Sequence, residues 1–165
     1  MAEIIRANHS HLEVIHSLAP IIWAETYSHF LAVGQVEYML DRMYSMEVLQ
    51  DLYQKKNYQF IMVSEDERYV GFALYHPKNN SSLIYRLDKI YLLKSETGKG
   101  NGKAMINYIC NDTRLQGASL LELNVNRENP AVGFYRKLGF VITSEEDIDI
   151  GNGYFMNDYI MQLPL

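Results

Sequence analysis

The residues of this chain with the clearest chemistry are three glycines separated by single residues, Gly98, Gly100 and Gly102, in the run TGKGNGKA. Glycine adopts positive φ without strain, so such a loop can turn several backbone N–H groups towards one point. An apolar run at residues 89–93 precedes the loop, and a helical pattern follows it. Because a helix N-terminus carries partial positive charge, this combination predicts a site for a diphosphate.

Two common nucleotide-binding motifs do not fit the loop. A Walker A loop would need a glycine where Thr97 stands and a hydroxyl residue where Ala104 stands. A dinucleotide fingerprint that begins at Gly98 would need a glycine in place of Lys103, and one that begins at Gly100 is also incomplete. The spacing therefore disfavours a kinase, a nucleotidase or a dinucleotide-dependent enzyme.

A second motif lies downstream, where residues 129–140 (NPAVGFYRKLGF) follow a strand-like run at residues 120–125. Taken with the glycine loop, this segment resembles the GNAT N-acetyltransferase superfamily. The resemblance extends from about residue 83 to residue 140. In that family a loop of the form Arg/Gln-x-x-Gly-x-Gly/Ala binds the pyrophosphate of coenzyme A. This chain has Thr97 where the family usually has Arg or Gln, so one side-chain donor is absent.

The resemblance implies acetyl-coenzyme A as the cofactor and assigns its contacts. Backbone groups of the strand before the loop would pair with the pantetheine arm as another strand does, and Asn129 would contact that arm. Asn129 also fits a helix N-cap ahead of Pro130. The residues expected to bind the cofactor are Ile90, Tyr91, Leu92, Gly98, Lys99, Gly100, Asn101, Gly102, Lys103, Asn129 and Tyr135.

The reaction implied by the resemblance is direct transfer of an acetyl group to an amine. Tyr135 matches the tyrosine that the family uses as the general acid for the leaving thiolate. Asp88 is the first candidate for the general base, with Glu122, Asn124 or a chain of water molecules as alternatives. Tyr135 and Asp88 are therefore the expected catalytic residues.

The acceptor side is expected in the first helices, where Trp23, Glu25 and Tyr27 place an acid among aromatic rings. Such a group suits a protonated amine through charge and cation–π contact. This stretch and residues 151–159 are similar to the polyamine N-acetyltransferase branch. We therefore expect a small-molecule primary amine, with a polyamine as the leading case. An amino group of a protein or peptide and a non-catalytic acyl-coenzyme A-binding module remain as alternatives.

Composition limits the class of protein. The chain has 165 residues, 48% hydrophobic and 21% charged, which predicts a single globular domain over residues 1–165. The net charge of −5 disfavours nucleic acid. The sequence shows no apolar span or leader, so we expect a cytoplasmic protein with no membrane partner. Cys110 is the only cysteine, and no metal-binding motif appears, so neither a disulfide nor a metal is expected. A homodimer through a strand edge or the C-terminal hairpin is left open.

Periodicity predicts a mixed α+β protein, and the resemblance adds the GNAT fold, a mostly antiparallel sheet of six to seven strands flanked by about four helices. Pro20 is expected to bend or interrupt the first helix. Pro130 is expected at the first position of a helix over 130–138. The predicted elements are strands at 3–7, 58–63, 69–75, 83–93, 120–125, 140–150 and 154–161, and helices at 10–22, 35–43, 46–55, 101–116 and 130–138.

Overall fold

The computed structural model describes residues 2–165, which form seven strands and five α-helices. The strands are β1 (Glu3–Arg6), β2 (Gln59–Glu65), β3 (Arg68–Lys78), β4 (Ser81–Leu92), β5 (Leu120–Asn126), β6 (Val141–Gly151) and β7 (Tyr154–Pro164). The helices are α1 (His11–Tyr27), α2 (Gln35–Tyr44), α3 (Met46–Gln54), α4 (Asn101–Leu115) and α5 (Ala131–Lys137), with a 3₁₀ turn at Lys94–Glu96. The predicted α+β class, the strand number and the approximate helix number are confirmed.

The strands form one sheet in the order β1-β2-β3-β4-β5-β7-β6. Every neighbouring pair is antiparallel except β4 and β5, which are parallel. A parallel pair needs a crossover connection, and here the glycine loop and α4 supply it. The glycine loop therefore lies at the carboxyl end of β4, beside the single parallel junction of the sheet.

Helices cover both faces of the sheet, because alternate strand residues point to opposite sides. On one face, α4 contributes Met105, Ile106 and Ile109 to a core with Leu121 and Leu123 of β5. On the other face, α1 contributes Leu12, Ile15 and Ile22 to a core with Phe72 and Leu74 of β3. The polar residues of β5 consequently share the α1 face.

The structure shows how two prolines fit their helices. Helix α1 continues from His11 to Tyr27 with Pro20 inside it, so Pro20 does not interrupt the helix. Pro20 and His16, four residues earlier, are both exposed, so water can bind the carbonyl that the proline leaves without an N–H donor. Helix α5 begins at Ala131, one residue later than predicted, and Pro130 directly before it already has helical φ of −61° and ψ of −15°.

Within residues 2–165, no helix is long and apolar enough to cross a membrane. The same residues contain no cluster of three or more His, Cys, Asp or Glu side chains arranged to hold a metal ion. Cys110 is buried as a free thiol in the core beneath α4.

Candidate active site

The site opens where β4 and β5 separate. Their parallel register runs from Ile84 opposite Leu120 to Leu87 opposite Leu123 and ends there. On its other side, β4 stays paired with β3, but the pairing shifts around Asp88, because Tyr75 faces Leu87 while Leu74 faces Lys89. Such a bulge bends β4 locally, and β4 turns away from β5 at this point. The β5-facing edge of β4 beyond Leu87 is therefore left without a strand partner.

A cavity of about 750 Å³ occupies this opening. Residues of the glycine loop, α1, β4, β5 and α5 line it. Its lining includes Glu25, Tyr27, Phe30, Asp88, Ile90, Tyr91, Leu92, Thr97, Gly98, Gly100, Gly102, Lys103, Asn124, Glu128, Asn129, Phe134 and Tyr135. The cavity thus brings together most of the residues that the sequence assigns to the cofactor and the acceptor.

The glycine loop has the backbone that its sequence predicts. Gly98 has φ of 78° and Gly100 has φ of 88°, a region that other residues adopt only with strain. A Cβ atom built on either glycine has no neighbour within 4 Å, so the space beside both residues is open. Gly100 is also the N-cap residue of α4. Open backbone at a helix N-terminus fits a pyrophosphate.

The two lysines of the loop have different surroundings. Lys103 lines the cavity. Lys99 does not, and its Nζ lies 3.1 Å from Oε2 of the buried Glu96. Asn101 is also absent from the cavity lining and is buried. Of these three expected cofactor contacts, the structure brings only Lys103 to the site, because Glu96 holds Lys99 and the first turn of α4 carries Asn101 into the protein.

This difference predicts unequal effects of two alanine substitutions. Lys103→Ala should weaken coenzyme A binding about two- to fivefold, as expected for an exposed charge contact, and the loss should shrink at high salt. Lys99→Ala should leave the affinity unchanged, because the lysine charge is already paired with Glu96. Calorimetric titration of both variants with coenzyme A measures the difference. Equal losses would show that Lys99 leaves Glu96 when the cofactor binds.

The strand segment Ile90–Leu92 lines the cavity, and its edge towards β5 carries backbone groups without a strand partner. An extended chain with amide groups can pair with such an edge as an additional strand does. The pantetheine arm of coenzyme A contains two amides, so the edge fits it. This part of the site is therefore formed mainly by backbone groups of β4 and less by side chains.

Asn129 and Tyr135 lie on the opposite wall. The Asn129 side chain accepts a hydrogen bond from the Ala131 N–H at 2.9 Å, so it caps the start of α5 while it lines the cavity. Tyr135 is buried against Phe134 and Phe140 and also reaches the cavity. Burial, reinforced by the nearby Tyr27, raises the pKa of Tyr135 well above its ordinary value. The phenol therefore keeps its proton at neutral pH and is available as a donor.

The three residues of α1 that were predicted to contact the acceptor have different surroundings. Tyr27 lines the cavity, and its hydroxyl lies 3.1 Å from that of Tyr91. Glu25 also lines the cavity, where its carboxylate accepts a hydrogen bond from the Lys94 N–H at 3.0 Å. Trp23 does not reach the cavity, because it is 1% exposed and its indole N–H donates to the Tyr44 hydroxyl. Trp23 therefore packs behind Tyr27 in the core, and the structure does not place it at the acceptor site as the sequence predicted.

The two acids considered as bases also differ. Asp88 lines the cavity, is about one-third exposed and lies 3.7 Å from the buried Lys89 ammonium. Glu122 is buried and accepts hydrogen bonds from Lys78 and Gln162, both at 2.8 Å. Burial alone would raise the pKa of Glu122, but these bonds and the charges of Lys78 and Arg86 outweigh it and lower that pKa. Glu122 is thus an ion-paired structural carboxylate and a poor base.

Sequence reasoning did not single out Asp158 on β7. This carboxylate is 6% exposed and bonded to Asn124 of the cavity wall. A signal was present, since Asp158 alternates with Met156 and so falls on a buried face of the strand, where an acid is unusual. Beside it lies a second cavity of about 390 Å³, which shares Phe30 and Glu128 with the first.

Comparison with known proteins agrees with this geometry. Residues 27–161 match the family model of the acetyltransferase (GNAT) domain. The peptidyl-lysine N-acetyltransferase YjaB of Salmonella typhimurium is 30% identical over 97 residues, which are 58% of this chain and 59% of that protein. YjaB of Escherichia coli is likewise 30% identical over 97 residues, 58% of each chain. The match thus spans less than two thirds of the length of these relatives.

Two solved structures share the fold. The PaiA N-acetyltransferase from Thermoplasma acidophilum, solved in complex with coenzyme A, superposes with a TM-score of 0.82 at 24% identity, covering 100% of this chain and 99% of that one. A GCN5-related N-acetyltransferase from Rhodopseudomonas palustris superposes with a TM-score of 0.83 at 16% identity, covering 100% and 96%. With the match of the family model over residues 27–161 and a cavity whose glycine loop and strand edge fit coenzyme A, this chain belongs to the GNAT acetyltransferase family.

Proposed function

We propose that this enzyme transfers acetyl from acetyl-coenzyme A to a primary amine of a small molecule, with a polyamine as the leading candidate. The observation that supports this acceptor class is the presence of three acids, Glu25, Asp88 and Glu128, in the lining of the cavity that also contains the glycine loop and Lys103. The loop and Lys103 would attract the anionic cofactor and the acids a cationic acceptor, so both reactants would be drawn into one cavity.

The acids and aromatic rings of the cavity have the chemistry of an ammonium site. Tyr27 and Phe30 line the cavity together with the acids, and their rings contact each other edge-on at 5.5 Å. Carboxylates favour the charged amine, and aromatic faces attract it further. Several acids in one cavity suit a molecule with more than one ammonium group. A polyamine has that property, which makes it the first acceptor to test.

The residues of the chain divide the reaction between them. Bound acetyl-coenzyme A supplies a thioester whose carbonyl carbon an amine can attack. The glycine loop and the edge of Ile90–Leu92 would hold that molecule and so bring the two reactants together. One backbone N–H of the same edge would face the thioester oxygen and stabilise developing negative charge. Tyr135, protonated at neutral pH, would give its proton to the departing sulfur.

A second acceptor, the side-chain amine of a lysine in a protein, is favoured by one specific observation. The relatives named YjaB, 30% identical over 97 residues, are peptidyl-lysine N-acetyltransferases. A lysine side chain presents the same primary ammonium as a polyamine, so both fit the acids that line the cavity. They differ in the peptide backbone attached to the lysine, which the surface around the opening would have to accommodate.

A thiol-release assay with acetyl-coenzyme A separates these acceptors. We expect kcat/KM for spermidine to exceed that for an Nα-blocked lysine peptide by about tenfold or more, because the acids would contact more than one ammonium group, each worth about 1 kcal/mol. Amino acids and aminoglycosides extend the comparison. A higher kcat/KM for the lysine peptide would contradict the small-molecule proposal and favour the second acceptor. Absence of release with every amine would contradict both.

A further inference from the structure

A chain of hydrogen-bonded side chains crosses the α1 face of the sheet and ends at Asp158. It begins at Glu122, whose Oε1 accepts a hydrogen bond from Arg86 Nη1 at 3.1 Å. Arg86 Nη2 donates to Asn124 Oδ1 at 2.7 Å, and Asn124 Nδ2 donates to Asp158 Oδ2 at 3.2 Å. Three adjacent strands, β4, β5 and β7, therefore cooperate to position one carboxylate.

The chain fixes which atom faces which. A guanidinium can only donate hydrogen bonds, so the Asn124 oxygen must face Arg86 and the amide nitrogen must face Asp158. Oδ2 of Asp158 consequently accepts a hydrogen bond. Oδ1 of Asp158 is buried and has no partner; within residues 2–165 only Asn101 Nδ2 shares that condition. A buried carboxylate oxygen without a donor is costly, which calls for a functional reason.

Asp158 lies behind the walls of both cavities and lines neither itself. Its partner Asn124 lines the large cavity just beyond the point where β4 and β5 part. Its neighbour Asn157 and its cross-strand partner Asn126 line the second cavity. Tyr27, on the wall of the large cavity, is close enough that the negative charge of Asp158 helps to raise its pKa, after the larger effect of burial. Asp158 therefore adjoins both cavities through residues that line them.

The groups around Asp158 favour a carboxylate that can take up a proton. Burial raises its pKa above the ordinary value for aspartate. The Asn124 hydrogen bond and the charges of Arg86 and Arg127 oppose this rise, while Glu146 adds to it. These groups come from β4, β5, the β5–α5 connection and β6, and Tyr27 comes from α1. A base with a raised pKa accepts a proton more readily than an exposed aspartate does.

We propose that Asp158 is the catalytic residue that binds the ammonium of the acceptor and takes its proton, with Arg86 and Asn124 as positioning residues. This inference rests on the proposed function. This step requires the bound acceptor to displace the wall of the cavity at Asn124 and so expose Asp158 Oδ1. The ammonium then transfers one proton to Oδ1, which leaves a lone pair on the nitrogen. That lone pair forms the new C–N bond while the C–S bond breaks. Tyr135 donates its proton to the departing sulfur and regains one from the acetylated nitrogen, and Asp158 releases its proton to solvent.

The first test is the pH profile of Asp158→Asn with spermidine and the blocked lysine peptide. Only the carboxylate form takes up a proton, so wild-type kcat/KM should rise with pH through the pKa of Asp158. In Asp158→Asn this rise, the acidic limb of the pH profile, should vanish, and kcat/KM should fall by about 10²- to 10³-fold. Thermal unfolding should show an Asp158→Asn midpoint no lower than that of the wild type, because the amide removes a buried charge.

Three further variants sharpen the result. Glu146→Gln removes an equal charge from the exposed residue paired with Asp158 on β6. It should keep the rate and the limb, and the limb should move slightly to lower pH because Glu146 adds to the raised pKa of Asp158. Asp88→Asn should also keep the limb. Asn124→Ala removes the donor to Oδ2, so the limb should move upward by about one pH unit. A limb that persists in Asp158→Asn, disappears in Asp88→Asn or stays in place in Asn124→Ala would overturn the inference.

A second readout does not depend on turnover. In protein labelled with ¹³C at the aspartate carboxyl carbons, the signal missing from Asp158→Asn identifies Asp158. It should titrate above the ordinary range for aspartate and should shift when the preferred amine of the two is added. An unresponsive signal overturns the ammonium contact. If the wild type releases no thiol with either amine, the proposed function fails; if it does and the Asp158→Asn limb remains, only the role of Asp158 fails.

Discussion

Replacement of Tyr135 by phenylalanine should lower kcat by about 10²-fold or more while the dissociation constant for coenzyme A stays within about twofold of the wild-type value. The phenol lines the cavity and retains its proton at neutral pH, whereas phenylalanine preserves the ring that packs between Phe134 and Phe140. The departing sulfur would then have to leave as a thiolate or take a proton from water. Steady-state thiol release gives kcat, and calorimetry gives the dissociation constant.

Tyr159→Phe is the matched control. Tyr159 is a half-buried residue of β7 that packs against the same core cluster, but it does not line the cavity. Loss of its hydroxyl should therefore leave kcat unchanged. A Tyr135→Phe enzyme with wild-type kcat would remove Tyr135 from the mechanism. A variant with weaker cofactor binding and unchanged kcat would make Tyr135 a binding residue only.

Gly100→Ala should weaken coenzyme A binding by about 5- to 30-fold, because a residue with a Cβ atom pays about 1–2 kcal/mol to hold the left-handed conformation. Gly100 has φ of 88° at the N-cap of α4, on the cavity wall. In the variant, the loop can escape this strain only by turning its N–H groups away from the pyrophosphate site. Calorimetric titration with coenzyme A measures the loss, and kcat at saturating cofactor should change little.

Gly117→Ala separates loop geometry from general destabilisation. Gly117 has φ of 93°, and a Cβ atom built there also has no neighbour within 4 Å. It lies at the opposite end of α4 and does not line the cavity. Gly117→Ala should lower the free energy of unfolding by about 1–2 kcal/mol and leave the affinity unchanged. Gly100→Ala should destabilise the free protein less, because its loop relaxes until the cofactor binds, and should lower the affinity. Equal affinities in the two variants would show that the loop binds the cofactor without this conformation.

The cofactor was predictable from sequence because its determinants are local. Gly98 and Gly100 can adopt positive φ without strain, and both do so, so their spacing was a local indication of the loop conformation. The segment 129–140 is likewise continuous, and it carries both the Asn129 cap and Tyr135. The seven strands were also predictable, because their alternation in hydrophobicity is set by the period of the pleat.

The direction in which an individual side chain points could be determined only from the tertiary structure. Lys99 and Lys103 are indistinguishable as loop lysines, yet Glu96 pairs with one and leaves the other at the cavity. Trp23 is an aromatic residue of the kind expected to contact an acceptor. Its indole N–H instead donates to Tyr44, 21 residues further along the chain, and its ring is buried in the core. In each case a partner on another element decides the orientation, and periodicity does not identify that partner.

By itself, the sequence determined the α+β class and the glycine loop, because periodicity and short-range backbone preferences are local, and the resemblance of its contiguous motifs to the GNAT family added the acetyltransferase fold and coenzyme A. Only the tertiary structure decided where a proton acceptor could stand. Arg86 and Asn124 are 38 residues apart, and Asn124 and Asp158 are 34 apart, so no local pattern links them. The pairing of β4, β5 and β7 brings them into one hydrogen-bonded line, and burial of its last carboxylate in that sheet gives Asp158 its raised pKa.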